Sequence, residues 1–242
     1  SFYGLAAQGM GRLHYLTHEL DAVGKYGDAA YYHGMYENGV PVACHEHLTR
    51  EFGRRARDFM TEAIQAHDPY FCMVAFNAVH NFTWQLPEEE LAKRGLKAHP
   101  DFDPMVDEYV DWYDGAISPN LENGREYYLA QLEMMDEEIG RLLDLLEETE
   151  TLQNTLVIYL TDNGGSACNF GNNAPLTGSK YTLFEGGVRV PYLASWPQVI
   201  PAGSGTQELT SSLDLLPTFA YVAGAQLPNN QPIDGVNLFE RF

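Results

Sequence analysis

The sequence predicts an α/β fold, a mostly parallel (mixed) sheet sandwiched by helices, and three observations predict it. Two stretches, Leu48 to His67 and Glu126 to Glu148, repeat their apolar residues every three or four positions, as amphipathic helices do. Three short runs, Tyr70 to Ala78, Thr155 to Leu160 and Val188 to Trp196, are almost continuously apolar and rich in β-branched and aromatic residues, as strands covered on both faces are. Helical and strand-like segments alternate along the chain, which is the pattern of helices packed on a parallel sheet.

The elements follow in order. In the first helix Phe52, Ala56, Phe59, Met60, Ala63 and Ile64 form the apolar stripe, with Thr49 available as a cap. Arg50, Arg54, Arg55 and Arg57 fall on the face expected to be wet. Asp68-Pro69 ends the helix, because proline cannot continue it, and the run Tyr70 to Ala78 is expected as a buried strand. Residues from Pro87 to Gly124 mix acids, prolines and aromatics without a clean period, so an irregular excursion with short helices is expected. The helix from Glu126 to Glu148 places Leu129, Leu132, Met135, Ile139, Leu142, Leu143 and Leu146 on one stripe. A second strand, Thr155 to Leu160, stops at Asp162-Asn163-Gly164-Gly165. The third, Val188 to Trp196, is interrupted by Pro191. Ser211 or Ser212 can cap a last helix through Leu213, Leu216, Phe219 and Val222 that ends at Gly224.

Composition narrows the function. The 242 residues hold 34 Asp+Glu against 14 Lys+Arg, a formal charge of −20, and 45% are hydrophobic. Such a chain builds a core and repels phosphate, so nucleic acid is excluded as an expected partner. No apolar run is long enough for a transmembrane segment, and no signal peptide is visible. Cys44, Cys72 and Cys168 are too few for a disulfide framework.

In open α/β sheets ligands bind beyond the carboxyl ends of strands. Two polar groups stand at such places, His80 after the first strand and Asp162-Asn163 after the second. Asp162-Asn163 offers two hard oxygen ligands suited to calcium or magnesium, and equally makes an ordinary turn. His80 is either a proton donor to a leaving oxygen or a hydrogen-bonded core histidine. Lys180, in a glycine-containing loop, is either the partner of an anion or a solvated surface charge. Glu185 and Arg189, four apart, read as a structural ion pair. Cys44-His45-Glu46-His47 has metal-ligand chemistry, but its spacing matches no standard zinc pattern.

Taken together, an ordered set of segments resembles the type I sulfatase family, the arylsulfatase-like branch of the alkaline phosphatase superfamily. The set is led by Asn154-Thr-Leu-Val-Ile-Tyr-Leu-Thr-Asp162-Asn163-Gly-Gly, Pro175-Leu-Thr-Gly-Ser-Lys180 and Phe184-Glu-Gly-Gly-Val-Arg-Val-Pro191. It is supported by Phe2-Tyr3-Gly4, Tyr36-Glu37-Asn38-Gly39, Phe76-Asn77-Ala78-Val79-His80, Leu129-Ala-Gln-Leu-Glu-Met-Met-Asp136 and Asp214-Leu-Leu-Pro-Thr218. The resemblance implies an alkaline-phosphatase-like fold, here incomplete, with residues 1–242 part of a single catalytic domain. It implies a sulfuric ester hydrolase acting on a sulfated sugar, polysaccharide or aryl sulfate. It makes Asp162 and Asn163 ligands of a divalent cation, usually Ca2+, sets His80 and Lys180 on the sulfate ester, and brings His14 near substrate. Export is implied by the same analogy, while oligomeric state stays open.

Enzymes of this family attack sulfur with a formylglycine made in a Cys/Ser-x-Pro-x-Arg motif, and no such motif occurs in this sequence. The paired aspartates of the metal site and a Gly-Lys-x-His segment are also lacking, so the chain is expected to be an internal or truncated piece whose formylglycine lies in a missing N-terminal segment. Alone it is expected to be inactive. A non-catalytic anion- or metal-binding module and a phosphoryl or phosphonate hydrolase are the alternatives.

Overall fold

Helix α1, Leu48–Ala66, begins where the sequence places it, but its cap is His47 and Thr49 is buried within the first turn. It ends at His67, which takes a left-handed conformation and turns its backbone N–H back onto the last carbonyls, so the chain leaves before Pro69. The computed structural model describes residues 1–5, 35–100 and 105–239. By backbone proximity these form two compact units, Ser1–Glu150 with Leu160–Pro191, and Thr151–Tyr159 with Tyr192–Phe242.

In the first unit, strands β1 (Tyr3–Leu5), β2 (Met35–Glu37) and β3 (Val40–Val42) make a small antiparallel sheet in that order. Asn38-Gly39 turns β2 into β3 with both residues at positive φ, the conformation that Asn-Gly adopts in tight hairpins. Helices α2 (Glu88–Arg94) and α3 (Tyr109–Ala116) punctuate the acidic, proline-rich excursion, as expected. Helix α4, Gly124–Glu148, packs along α1. A core of Phe82, Trp84, Leu86, Leu91, Trp112, Ala116, Tyr127, Ala130 and Met134 lies beneath α4.

Two expectations about faces are corrected here. Met135 and Leu146 of the expected stripe are buried, but Leu129, Leu132 and Leu143 are exposed, and α4 buries Tyr127, Ala130, Gln131, Met134 and Glu138 beside them. The reason is α1: where the helices meet, Gly53 leaves just enough space for the carboxylate of Glu138, which is 1% exposed and binds Arg57 and Arg141. The arginines of α1 are therefore not simply a wet face. Arg50 reaches Glu90 on α2 at 3.0 Å, Arg55 reaches Glu37 on β2 at 3.0 Å, and Arg54 and Arg55 share Glu51. Against the cost of its burial, those two guanidinium groups hold the Glu51 carboxyl below the usual carboxylate range.

No strand forms over Tyr70 to Ala78. The segment has no regular structure and enters a turn at Ala78, with Phe71 and Met73 exposed. Its residues specify an extended backbone, but a strand also needs a neighbour to complete its ladder, and no run of side chains supplies that.

In the second unit, β4 (Val157–Leu160) and β5 (Tyr192–Ser195) form a two-stranded sheet. The expected third strand is shorter than its apolar run, because Glu185–Val188, which belongs to the first unit, closes a single helical turn, α5, that takes up Val188. The last helix, α6 (Leu215–Val222), follows a 3-10 turn at Ser212–Asp214. Ser211 is its cap: its hydroxyl accepts from the backbone of Leu213, and Asp214 accepts from the Ser211 N–H. The architecture is α/β with small sheets; the described strand pairs of known direction are antiparallel. Among the described residues no helix is long and apolar enough to cross a membrane.

Candidate functional site

Where β4 ends at Leu160 the chain enters Thr161-Asp162-Asn163-Gly164-Gly165, and Asp162 Oδ1 accepts from the Asn163 N–H at 2.9 Å. Asn163 Nδ2 donates to the Gly164 carbonyl at 3.0 Å, and the Thr161 hydroxyl donates to the Asn163 carbonyl at 3.3 Å. The segment is a turn, as the dipeptides predict, and it exposes the Asp162 carboxylate.

This turn is pinned from behind by glycines. The Gly164 N–H donates to the Gly187 carbonyl at 2.9 Å, and a Cβ at position 164 would overlap the Gly186 carbonyl oxygen. The Gly186 N–H in turn donates to the Thr177 carbonyl at 2.7 Å. The Gly-Gly pairs at 164–165 and 186–187 are needed because backbone here packs directly on backbone, with no room for side chains.

Lys180 stands on the loop between these pairs, and its N–H donates to the Gly165 carbonyl at 3.3 Å. Its Nζ lies 3.2 Å from His80 Nε2, although the two residues are 100 positions apart, and 5.4 Å from the ring centre of Tyr181. His80 ends a tight turn in which its N–H donates to the Asn77 carbonyl at 3.0 Å. Burial pushes the His80 imidazole down to about 4; the Lys180 ammonium pushes the same way, and the Asp162 carboxylate opposes it. His80 is therefore neutral near pH 7, with Nε2 placed to accept from the lysine. Three of the four principal predicted residues are coupled: His80 to Lys180 by contact, and His80 to Asp162 through the electrostatic field. Asn163 adjoins Asp162 in the turn, and His14 lies outside the described residues.

The other candidates separate from this site. Cys44 sits in a small core with Met35 and Leu48, and burial with the nearby Arg50 charge pushes His47 down to about 4. Burial pushes the Cys72 thiol up, away from the thiolate form. Among the described residues no three His, Cys, Asp or Glu side chains gather as a metal site. Glu185 and Arg189 do pair, at 3.4 Å on the surface.

Two residues that sequence reasoning passed over belong to the geometry. Asn169 donates through Nδ2 to the Val79 carbonyl at 3.2 Å, and Asn173 bridges the Gly165 and Gly178 backbones. Their only signal in the sequence is the density of asparagine in Asn169-Phe-Gly-Asn-Asn173 between the two glycine pairs.

A comparison with protein families matches residues 7–225 to the sulfatase model. The chain belongs to the sulfatase family. A sulfatase of Formosa agariphila is 32% identical over 204 residues, which is 80% of this chain and 33% of that protein. The N-acetylgalactosamine-6-sulfatase of Sus scrofa is 30% identical over 195 residues, 79% of this chain and 32% of that protein. Among solved structures, that of Ps i-CgsB in complex with k-i-k-neocarrahexaose superposes with a TM-score of 0.71 at 31% identity, covering 91% of this chain and 44% of that one. This sulfatase chain thus spans about a third of the length of the curated relatives it matches.

Proposed function

We propose that this chain carries the sulfate-binding and metal-binding part of a sulfatase catalytic domain, of which residues 1–242 are one portion. In the complete polypeptide the reaction is hydrolysis of a sulfate ester of a sugar, polysaccharide or aryl alcohol. The observation that carries this reading is the approach of Lys180 Nζ to His80 Nε2 at 3.2 Å, with the Asp162 carboxylate close enough to act on the same imidazole.

The chemistry follows from charge. A sulfate monoester brings an anion to the pair, and the Lys180 ammonium binds its oxygens as a point charge. The negative charge raises the proton affinity of His80, which burial and Lys180 had lowered, so, while Lys180 keeps its own proton, the ring can take one up from solvent. The protonated ring then gives it to the departing alcohol oxygen, which would otherwise leave as an alkoxide. Asp162 and Asn163 are hard oxygen donors on one exposed turn and fit calcium in kind; they would form two of its ligands, and six to eight oxygens complete such a shell. Calcium held there would supply neutralisation of the sulfate charge. None of Cys44, Cys72 and Cys168 stands in a Cys-x-Pro-x-Arg context, so a formylglycine nucleophile belongs to other residues of the complete enzyme. The names of relatives, an N-acetylgalactosamine-6-sulfatase and a protein bound to a neocarrahexaose, favour a sulfated glycan as substrate.

The test is turnover of an aryl sulfate and of sulfated oligosaccharides by the complete polypeptide that contains this chain. Lys180→Ala and His80→Ala are each expected to lower kcat by about 100-fold or more. The 242-residue chain alone is expected to turn nothing over. Preference for a phosphate monoester or a phosphonate over every sulfate ester would overturn the assignment.

A further inference from the structure

The segment Ser166–Asn173 joins the Asp162 turn to the Lys180 loop, and two of its side chains reach out of it, Asn169 to the backbone before His80 and Asn173 to both loops. It opens with a 3-10 turn, Ala167–Asn169, started by the Ser166 hydroxyl, which accepts from the Cys168 N–H at 3.2 Å. That turn carries Asn169 inward to 8% exposure, where Nδ2 donates at 3.2 Å to the carbonyl of Val79, the residue before His80. Four residues on, Asn173 Oδ1 accepts from the Gly165 N–H at 2.8 Å, while its Nδ2 donates to the Gly165 carbonyl at 2.9 Å and the Gly178 carbonyl at 3.2 Å. Only a carboxamide offers an acceptor and two donors on one short arm. Gly165 precedes the segment and Gly178 lies two residues before Lys180, so this one side chain ties the metal-ligand turn to the lysine loop. Glycines cannot do so, since those at 164, 165, 178, 186 and 187 have no side chains with which to fix the loops they let approach.

We propose that Asn169 and Asn173 are positioning residues that set the separation of His80 and Lys180, Asn169 holding the backbone beneath His80 and Asn173 holding the loop that carries Lys180. The proposal rests on the sulfatase reading of that pair. Neither amide contacts the reacting groups. Both act through backbone, and both start from the same eight-residue segment, so His80 and Lys180 are registered against one reference. A displacement of about 1 Å in such a pair costs on the order of 100-fold in rate, which is the scale of the effect at stake.

The approach of the pair is readable without turnover, as a nuclear Overhauser effect between the His80 ring protons and the Lys180 ε-methylene in the 242-residue chain. Asn173→Ala is expected to abolish it while the amide resonances of α4 stay in place. Asn173→Asp keeps the acceptor for Gly165 but sets a carboxylate oxygen against two carbonyls. It is expected to lose the signal at neutral pH and regain it when the new carboxyl is protonated and donates again, a rescue that general loosening of the loop would not give. In the complete enzyme the same variants should lower kcat about 100-fold with little change in KM. A retained His80–Lys180 signal in Asn173→Ala, or a loss confined to KM, overturns the proposal. Should Asn173→Ala not fold, hydrogen exchange on the unmodified chain decides: protection of the Gly165 amide supports the bond to Asn173, and exchange at the intrinsic rate overturns it. Failure of the sulfatase reading looks different, because the unmutated complete enzyme would then hydrolyse no sulfate ester while the His80–Lys180 signal remained.

Discussion

The α1–α4 layer and the loops around Lys180 lie in the same compact unit and are held by opposite means. Between the helices, side chains hold the structure: an apolar core beneath α4, and a carboxylate at 138 clasped by Arg57 and Arg141. Around Lys180 backbone meets backbone, through glycines that exclude a Cβ and through the amide of Asn173. The first kind of packing tolerates change by rearranging. The second does not, since a carbonyl cannot move aside without dragging its chain.

The sharpest way to break this contrast is Gly164→Ala. Its Cβ would overlap the Gly186 carbonyl, so a loss of about 4 kcal/mol is expected in urea unfolding, and Lys180 is expected to draw away from His80 in the folded fraction. Next comes acid. Folded His80 titrates near 4 against an ordinary 6.5, so the unfolded chain takes up the proton first as pH falls. The stability is complete above about pH 6.5 and drains away toward pH 4, by about 3 kcal/mol at most. His47 in the helix layer is held equally low. Unfolding at pH 7, 5.5 and 4 should therefore flatten in part in His80→Gln, and Lys180→Met should soften the His80 share while leaving that of His47 untouched. Glu138→Gln leaves two arginines without their carboxylate, one of them half exposed and able to reach water, so a smaller cost of about 2 kcal/mol is expected. Gly140→Ala has the opposite sign. It lies in α4 with nothing within 4 Å of its Cβ position, and a gain of about 1 kcal/mol in the same melts would show that the helix layer obeys local propensity where the loops do not.

The same division explains what the sequence made legible. Periodicity located α1 and α4 to within two residues, because a helix is specified by its own residues. It placed only part of the inner face of α4, since Glu138 is buried by what α1 presents to it and Gln131 by the backbone at Thr83 and Gln85, rather than by their own character. Tyr70 to Ala78 shows the limit more plainly: an apolar run predicts extension, and pairing is decided elsewhere. In the site, Asp162 and His80 stood out as polar residues following apolar runs. That Lys180 would meet His80 across 100 positions was carried by the family resemblance alone. Asn169 and Asn173 were illegible because an amide that binds backbone looks, in one sequence, like any loop asparagine.

The bond from the Gly164 N–H to the Gly187 carbonyl has a consequence for chemical ageing. Asparagine followed by glycine deamidates when the glycine nitrogen swings onto the side-chain carbonyl carbon and closes a succinimide ring. At Asn163-Gly164 that nitrogen is engaged, and the asparagine amide is itself donating to the Gly164 carbonyl. At Asn38-Gly39 the hairpin tip is exposed: Asn38 Oδ1 accepts from the Phe2 N–H at 2.9 Å, but no atom lies within 4 Å of the Gly39 Cβ position to hold the backbone that must swing. Stored protein should thus acquire isoaspartate at 38 well before 163, and the Asp162 turn should outlast the hairpin between β2 and β3.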